Sequence, residues 1–243
     1  MGTNFGGRYT SVSQITGPSG FYTIFLNNEP VTVYVDQTYS GGGWVCVLAN
    51  NAFTGGMSNL TFDDAVNKVN YRTAGPNNGQ SVAYNFGKLS SLSDYNIWVG
   101  TKYWPLLGYR ANSSNITVVQ FVAGTNGTTL GNTAAHNKRY RWQFTGFSST
   151  YGFTSPASVA DETSTGIPGM YSYHAANGYS LTTYDIDRDA YGSNCSAQYN
   201  NNPWWYGACW DGNYFPGGGS YTDQANWAGA GSQLYQYGAV YIK

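Results

Sequence analysis

The chain is 243 residues long, enough for one large domain or two small ones and for a real apolar core. Only 9% of its residues are charged, against roughly 25% in an ordinary soluble domain. The net charge is −1 and no basic patch is visible, so a nucleic-acid partner is not expected.

Polarity comes instead from Asn, Ser, Thr, Gly and Tyr, and 17% of the residues are aromatic. Tyr-, Asn-, Ser- and Gly-rich surfaces suit adaptable contact, and exposed rings can stack on the apolar faces of sugars. Each ring can equally well be core. No apolar run reaches the roughly 18–20 residues of a membrane span, so insertion into a bilayer is not expected. The opening stretch MGTNFGGRYTSVSQ has no apolar stretch of the kind a secretion signal carries.

Along the chain, six stretches predict strands: FYTIFL (21–26), VTVYV (31–35), WVCVL (44–48), YNIWVG (95–100), ITVVQFVAG (116–124) and YRWQFTGF (140–147). Each is rich in β-branched and aromatic residues and bounded by Gly, Pro, Asn or Ser. NLTFDDAVNKVNY (59–71) predicts a helix, with Thr61 as its cap and Asp63 and Asp64 well placed in the first turn. LSSLSDYN (89–96) predicts another turn or two of helix. From about 150 onward the pattern dissolves into loops, notably 155–178 and 200–220. A long irregular region in a compact domain is typically functional. The expected class is α+β: an antiparallel sheet core, few short helices and a loop-rich C-terminal part. One domain is expected over 1–243, sheet-rich over 1–150 and loop-rich over 151–243. No repeat or heptad pattern is present.

Cysteines stand at 46, 195 and 209. One disulfide and one free thiol is the natural count. Cys46 lies in GGGWVCVLAN and reads as a small core residue. No CxxC pair suggests a thiolate metal site. A bond between Cys195 and Cys209 would close a loop of about 15 residues, worth about 3 kcal/mol in the chain-entropy account.

The stretch DIDRDAYGSNC (185–195) sets Asp185, Asp187 and Asp189 two apart in a chain poor in charge. Alternating aspartates can converge on one cation, with backbone carbonyls completing a shell of oxygens such as Ca²⁺ takes. No acidic residue stands where an EF-hand would need it. On the residues alone, an exposed acidic turn without metal accounts for the pattern as well.

Several segments together resemble the fibrinogen C-terminal-like domain family, which includes ficolins, tachylectins and related lectins. GPSGFYTI (17–24) is similar to the family's G-x-Y-x-I opening, and VYVDQTYSGGGWVCV (33–47) to V-Y-C-D-M…G-G-G-W-T-V. YRWQFTGFSSTYG (140–152) resembles Y-x-L-x-V-x-G-Y-S-G, and YHAANGYSLTTYDIDRD (173–189) resembles Y-H-N-G-x-x-F-S-T-x-D-x-D-N-D. NCSAQYNNNPWWYGAC (194–209) resembles N-C-A-x…W-W-Y-x-x-C, and DGNY (211–214) stands where the family has N-G-x-Y. The motifs are individually loose; their order and spacing over nearly the whole chain carry the resemblance.

The resemblance implies a calcium-bound C-terminal subdomain. Asp187 and Asp189 would give side-chain oxygens, Tyr191 and Ser193 backbone carbonyls, and Asp185 would brace the loop. It implies a Cys195–Cys209 disulfide and a ligand pocket at Ala208 and Cys209, with a cis Ala208–Cys209 bond. Trp205, Tyr206, Trp210 and Tyr221 would wall that pocket, and Trp227 would be core. The chain also departs from the family. Val35 replaces the first cysteine of an N-terminal disulfide, Trp210 replaces a residue that is usually His, and the link to DGNY is short. The ending WAGAGSQLYQYGAVYIK lacks the second Trp of W-x-x-W-K-G. The pocket is therefore expected to be remodelled.

Three functions follow as expectations. The first is a non-enzymatic adhesion module, extracellular, that binds a glycan or acetylated surface ligand beside Ca²⁺, as a homo-oligomer or in multivalent display. The second is a virion surface protein, a capsid decoration or fibre tip with a capsid or tail partner. The low-charge, Asn/Thr/Gly/Tyr-rich composition suggests it. The third, an enzyme, is disfavoured. Only His136 and His174 are present, Asp161 and Glu162 form a lone acidic pair, and no nucleophile elbow, HExxH or P-loop occurs. Sequons at Asn59, Asn112, Asn115, Asn126 and Asn194 match what chance gives in such a chain.

Overall fold

The computed structural model describes residues 8–51, 57–73, 95–108, 115–123, 138–147, 153–154, 160–161, 179–198, 201–207, 209, 212–213, 225–227, 233–235 and 237–243. Among the described residues, thirteen strands and three short α-helices run in the order β1 (Gly20–Leu26), β2 (Glu29–Asp36), β3 (Trp44–Asn51), α1 (Phe62–Asn67), β4 (Val69–Thr73), β5 (Tyr95–Val99), α2 (Trp104–Leu107), β6 (Asn115–Ala123), β7 (Lys138–Phe147), β8 (Phe153–Thr154), β9 (Ala160–Asp161), α3 (Cys195–Gln198), β10 (Gly212–Asn213), β11 (Ala225–Trp227), β12 (Gln233–Tyr235) and β13 (Tyr237–Ile242). The architecture is an antiparallel sheet with few short helices.

Ten strands form the main sheet, with a path β1-β2-β3-β13-β6-β7-β8. β1 and β2 are a hairpin in which Leu26 faces Glu29. Asn27 and Asn28 both take positive φ, 51° and 67°, the geometry that a tight two-residue turn demands and that Asn tolerates. β3 divides one edge between two partners. Its Trp44–Cys46 end pairs with β2, and Leu48 and Ala49 pair with β5. Its other edge pairs with β13, which also pairs with β6. The last strand of the chain is therefore central, and Ala239 to Ile242 are buried. Lys243 ends the chain by donating to the Gly42 carbonyl at 2.6 Å.

The six predicted strands correspond to β1, β2, β3, β5, β6 and β7. The predicted helix over 59–71 is shorter. Thr61 caps α1 as expected: its side chain accepts from the Asp64 amide while the Asp64 carboxylate accepts from the Thr61 amide. The helix stops at Asn67, because Lys68 is extended (ψ 159°) and Val69 to Thr73 pair with β5. A ladder of β-forming residues outcompetes a second helical turn. Gly100 makes this corner possible, since a Cβ there would lie 2.5 Å from the Val66 carbonyl oxygen. Of the segment 89–96, residues 89–94 lie outside the described residues and Tyr95 and Asn96 begin β5.

The core joins β2, β3, β5 and β13 to α1 and to Trp98, Trp104, Trp204 and Trp205. Trp98 Nε1 donates to the Ala65 carbonyl at 2.8 Å, and Trp104 Nε1 to the Val99 carbonyl at 2.9 Å. Both indoles are thereby buried with a partner for their one donor. Cys46 is a free thiol inside β3, and burial pushes its pKa well up.

Candidate functional site

The acidic loop is built by its own side chains turning back onto the backbone. Thr182 and Trp204 exchange N–H···O bonds at 2.8 and 3.0 Å, which ties residues 179–198 to residues 201–207. Thr183 and Ile186 exchange bonds at 3.0 and 3.1 Å, closing a tight turn with Tyr184 and Asp185 on its exposed side. Asp187 Oδ1 accepts from the Asp189 amide at 3.2 Å, and Asp189 Oδ1 accepts from the Tyr191 amide at 2.9 Å. Aspartate bonding to an amide two residues on is the local turn chemistry this residue favours. Asp189 Oδ2 accepts from the Cys195 amide at 2.9 Å. Asn194 Nδ2 donates to the carbonyls of Thr183 and Tyr184, and its Oδ1 accepts from the Ala197 amide at 2.9 Å.

A disulfide joins Cys195 to Cys209, with the Cα atoms 5.0 Å apart. The Ala190 amide donates to the Gly207 carbonyl at 3.1 Å, so the acidic loop and the disulfide loop meet there too. Gly207 is needed for its closeness to Tyr179: a Cβ would stand 2.6 Å from that ring. Ser196 Oγ and the Tyr206 hydroxyl both donate to the Asn202 carbonyl.

Two further contacts fasten the loop to the sheet side of the molecule. The Asp185 carboxylate accepts from the Phe62 amide, at 3.0 Å through Oδ1 and 3.3 Å through Oδ2. The Arg188 guanidinium lies 4.3 Å from the centroid of the Phe62 ring. Asn59 and Asn201, both at positive φ, form a second link: Asn59 N–H donates to the Asn201 carbonyl, and Asn201 Nδ2 to Asn59 Oδ1 at 2.8 Å. Sequence reasoning did not find these contacts. Nothing in the local pattern pairs residue 62 with residue 185.

The two neighbouring carboxylates of the loop act on each other. Burial first, then the charge of Asp187, raises the Asp189 carboxyl above the ordinary carboxylate range, against the pull of the Cys195 and Tyr191 amides. Among the described residues, the ion pairs are Lys68 with Asp63 and Asp64, and Lys102 with Glu29; none neutralises Asp187 or Asp189. A carboxylate offers about four acceptor positions, so both groups keep capacity beyond these amide bonds. No group of three or more His, Cys, Asp and Glu side chains that could hold a metal ion occurs among the described residues. A cation here would meet two carboxylates and neighbouring backbone carbonyls, hard oxygens of the kind Ca²⁺ takes.

Tyr191 and Ser193, which would lend carbonyls, sit on the same exposed turn, and Tyr191 is 53% exposed. Trp205 and Tyr206 are core residues, at 0% and 3% exposure, as is Cys209 at 7%. The Trp205 ring stacks on Trp98 with centroids 5.9 Å apart and also meets Trp104 and Trp204. Among the described residues, the exposed rings on the loop are Tyr184 and Tyr191. Ala208, with its bond to Cys209, Trp210 and Tyr221 lie outside the described residues, as do His136, His174 and Glu162. Trp227 and Asp161 are placed only as backbone, in β11 and β9.

An antiparallel sheet feeding a disulfide-braced acidic loop defines a fibrinogen-like globe. The chain belongs to the family of the fibrinogen beta and gamma chains, C-terminal globular domain, which it matches over residues 67–238, more than half its length. It is 28% identical to chicken tenascin (Gallus gallus) over 79% of this chain, and 26% identical to the human fibrinogen alpha chain (Homo sapiens) over 86%. It spans only 9% and 22% of the lengths of those two relatives. Among solved structures, the fibrinogen-like globe domain of human ANGPTL6 superposes with a TM-score of 0.65 at 20% identity, covering 99% of this chain and 97% of that one. Lamprey fibrin D-dimer, solved with the peptide ligand Gly-His-Arg-Pro-amide, gives 0.66 at 13% identity over 95% and 70% of the two chains. These structural likenesses carry the fold. Domains of this family are generally non-enzymatic binding modules.

Proposed function

We propose that this protein is an extracellular recognition module that binds a glycan or another surface polymer beside a loop ordered by Ca²⁺. The observation that supports the reading is the pair Asp187 and Asp189, linked through the Asp189 amide on a loop tied to the disulfide, with no ion-pair partner among the described residues. The ion would take oxygens from Asp187, Asp189, Tyr191 and Ser193, and its charge would offset their repulsion. The disulfide supports an oxidising compartment. Among the described residues, no helix is long and apolar enough to cross a membrane.

Ring exposure supports a choice of ligand contacts. Burial of Trp205 and Tyr206 leaves Tyr184 and Tyr191 as the solvent-open rings on the acidic loop, and their backbone is fixed by the turn bonds described above. Rigid tyrosines present area at low entropic cost. A shallow contact of this kind gains useful affinity when several copies act together. A virion surface role is compatible with the same face, and the low-charge composition supports it.

Thermal unfolding of the oxidised protein with Ca²⁺ and with EGTA tests the metal. Ca²⁺ should raise Tm by several degrees, and Asp187→Ala should remove the difference. Equal Tm under both conditions would overturn the metal reading. A glycan array on the Ca²⁺-loaded protein, repeated with Tyr191→Ala, then tests the ligand.

A further inference from the structure

The two carboxylates of the acidic loop are held by different parts of the molecule. Asp189 is held by the Cys195 amide, and its neighbour Ala190 by the Gly207 carbonyl, both on the disulfide side. Among the described residues, Asp187 receives only the Asp189 amide. The residues around it are fixed from elsewhere. Asp185, two positions before, accepts the Phe62 amide, and Arg188, the next residue, lays its guanidinium on the Phe62 ring. The Arg188 amide is also fixed, donating to Thr182 Oγ1 at 3.1 Å. One residue at the start of α1 thus grips both flanks of Asp187, by its backbone on one side and its ring on the other.

Arg188 is an odd residue to find between two carboxylates meant for a cation. Its charge stands in the sequence between them, yet among the described residues it pairs with neither, and its Nη1 is buried without a hydrogen-bond partner. The ring takes the guanidinium face instead, a contact that holds a cation without neutralising nearby carboxylates.

We propose that Phe62, Asp185 and Arg188 form a clamp that positions Asp187 for the cation, so that the start of α1 sets the affinity of the loop for Ca²⁺. This rests on the Ca²⁺ reading above. The clamp joins a sheet-side element to one carboxylate while the disulfide loop joins the other. A bound ion therefore ties the two parts of the domain together, and the clamp lowers the ordering that binding has to supply.

Charge and positioning predict opposite signs, which makes the test decisive. If Arg188 acts only as a like charge near the ion, Arg188→Gln tightens binding. If it positions Asp187, the same change weakens binding severalfold. Asp185→Asn and Asp185→Ala both remove a negative charge, but only Asn keeps an oxygen for the Phe62 amide. Positioning predicts near wild-type affinity for Asn and a loss of about fivefold for Ala, the scale of one ordinary hydrogen bond.

The experiment is calorimetric titration of Ca²⁺ into the full oxidised chain and these variants, each first shown to be folded by its Tm in EGTA. Phe62→Leu and Phe62→Tyr complete the set: Leu should weaken binding and Tyr should restore it. Equal loss in Asp185→Asn and Asp185→Ala, or tighter binding by Arg188→Gln, overturns the clamp while leaving the ion in place. Absence of saturable binding by the wild type, or its persistence in Asp187→Ala, overturns the Ca²⁺ reading and the clamp with it.

Discussion

The sheet around β3 and the loops around the disulfide are stabilised by different physics. In the sheet, Trp44 to Ala49 are all buried, and β13 and β5 close over them with Val240, Ile242, Ile97 and Val99. Removing that much apolar surface from water is the dominant favourable term there. In residues 182–195 the recurring device is a short polar side chain bonding to a backbone N–H or carbonyl nearby. Each such bond is worth only about 1 kcal/mol net, so the loops depend on a covalent tie and on a few apolar anchors. Those anchors are Leu181, Trp204 and Trp205, which leave the loop backbone and enter the core of the sheet. A recognition surface can in this way keep polar groups outward while its registration is set from beneath.

The largest effect should come from removing an anchor. Trp205→Ala leaves a cavity against Trp98, Trp104 and Trp204 and should cost about 3–5 kcal/mol, read by denaturant unfolding. It should also separate the two regions, with the loops losing protection in hydrogen exchange before the sheet does. If the stability were unchanged, the ring would be a surface feature and the contrast drawn above would fail.

Next in size is the covalent tie. Replacing Cys195 and Cys209 together by Ser should cost about 3 kcal/mol, because the open loop regains the freedom that the bond removes. Cys46 should stay unreactive to thiol reagents in that variant, since burial raises its pKa and the sheet is left intact. Rapid labelling of Cys46 would show that losing the loop tie opens the sheet as well, and the two regions would then be one cooperative unit.

The two regions were also unequally legible in the sequence. Alternation and β-branched residues marked β1, β2, β3, β5, β6 and β7, because a strand declares itself in neighbouring positions. β13 carries no such mark: YGAVYI is short and Gly-containing, and its partners on both edges make it central. In the loops, the aspartates and cysteines were visible as residue types, and the family resemblance assigned their roles. The contact of Asp185 with Phe62 spans 123 residues, and no local pattern encodes it. The pair at Trp204 and Trp205 reads the same in sequence whether it faces solvent or core. The core around Trp98 decides the matter, and that core is assembled from distant strands.

The smallest effect lies where the two regions touch, at the cap of α1. Thr61 Oγ1 and Asp64 bond reciprocally, and Lys68 Nζ lies 2.8 Å from Asp64 Oδ1. Lys68 first, then the Thr61 contacts, hold the Asp64 carboxyl below its ordinary value of 3.8. A carboxyl whose folded pKa is depressed contributes stability that is present above its unfolded value and is lost as pH falls through the folded one. The contribution of Asp64 should therefore be complete at neutral pH and fade only below about pH 4. Thr61→Ala should cost about 1 kcal/mol at pH 7. Asp64→Asn, which keeps an oxygen for Thr61 but cannot pair with Lys68, should flatten the acid limb of the Tm profile with little change in the cap. An unchanged acid limb would place the lost stability elsewhere. A drop at neutral pH as large as that of Thr61→Ala would mean that charge, and not the reciprocal bond, holds the residue to which the acidic loop is fastened.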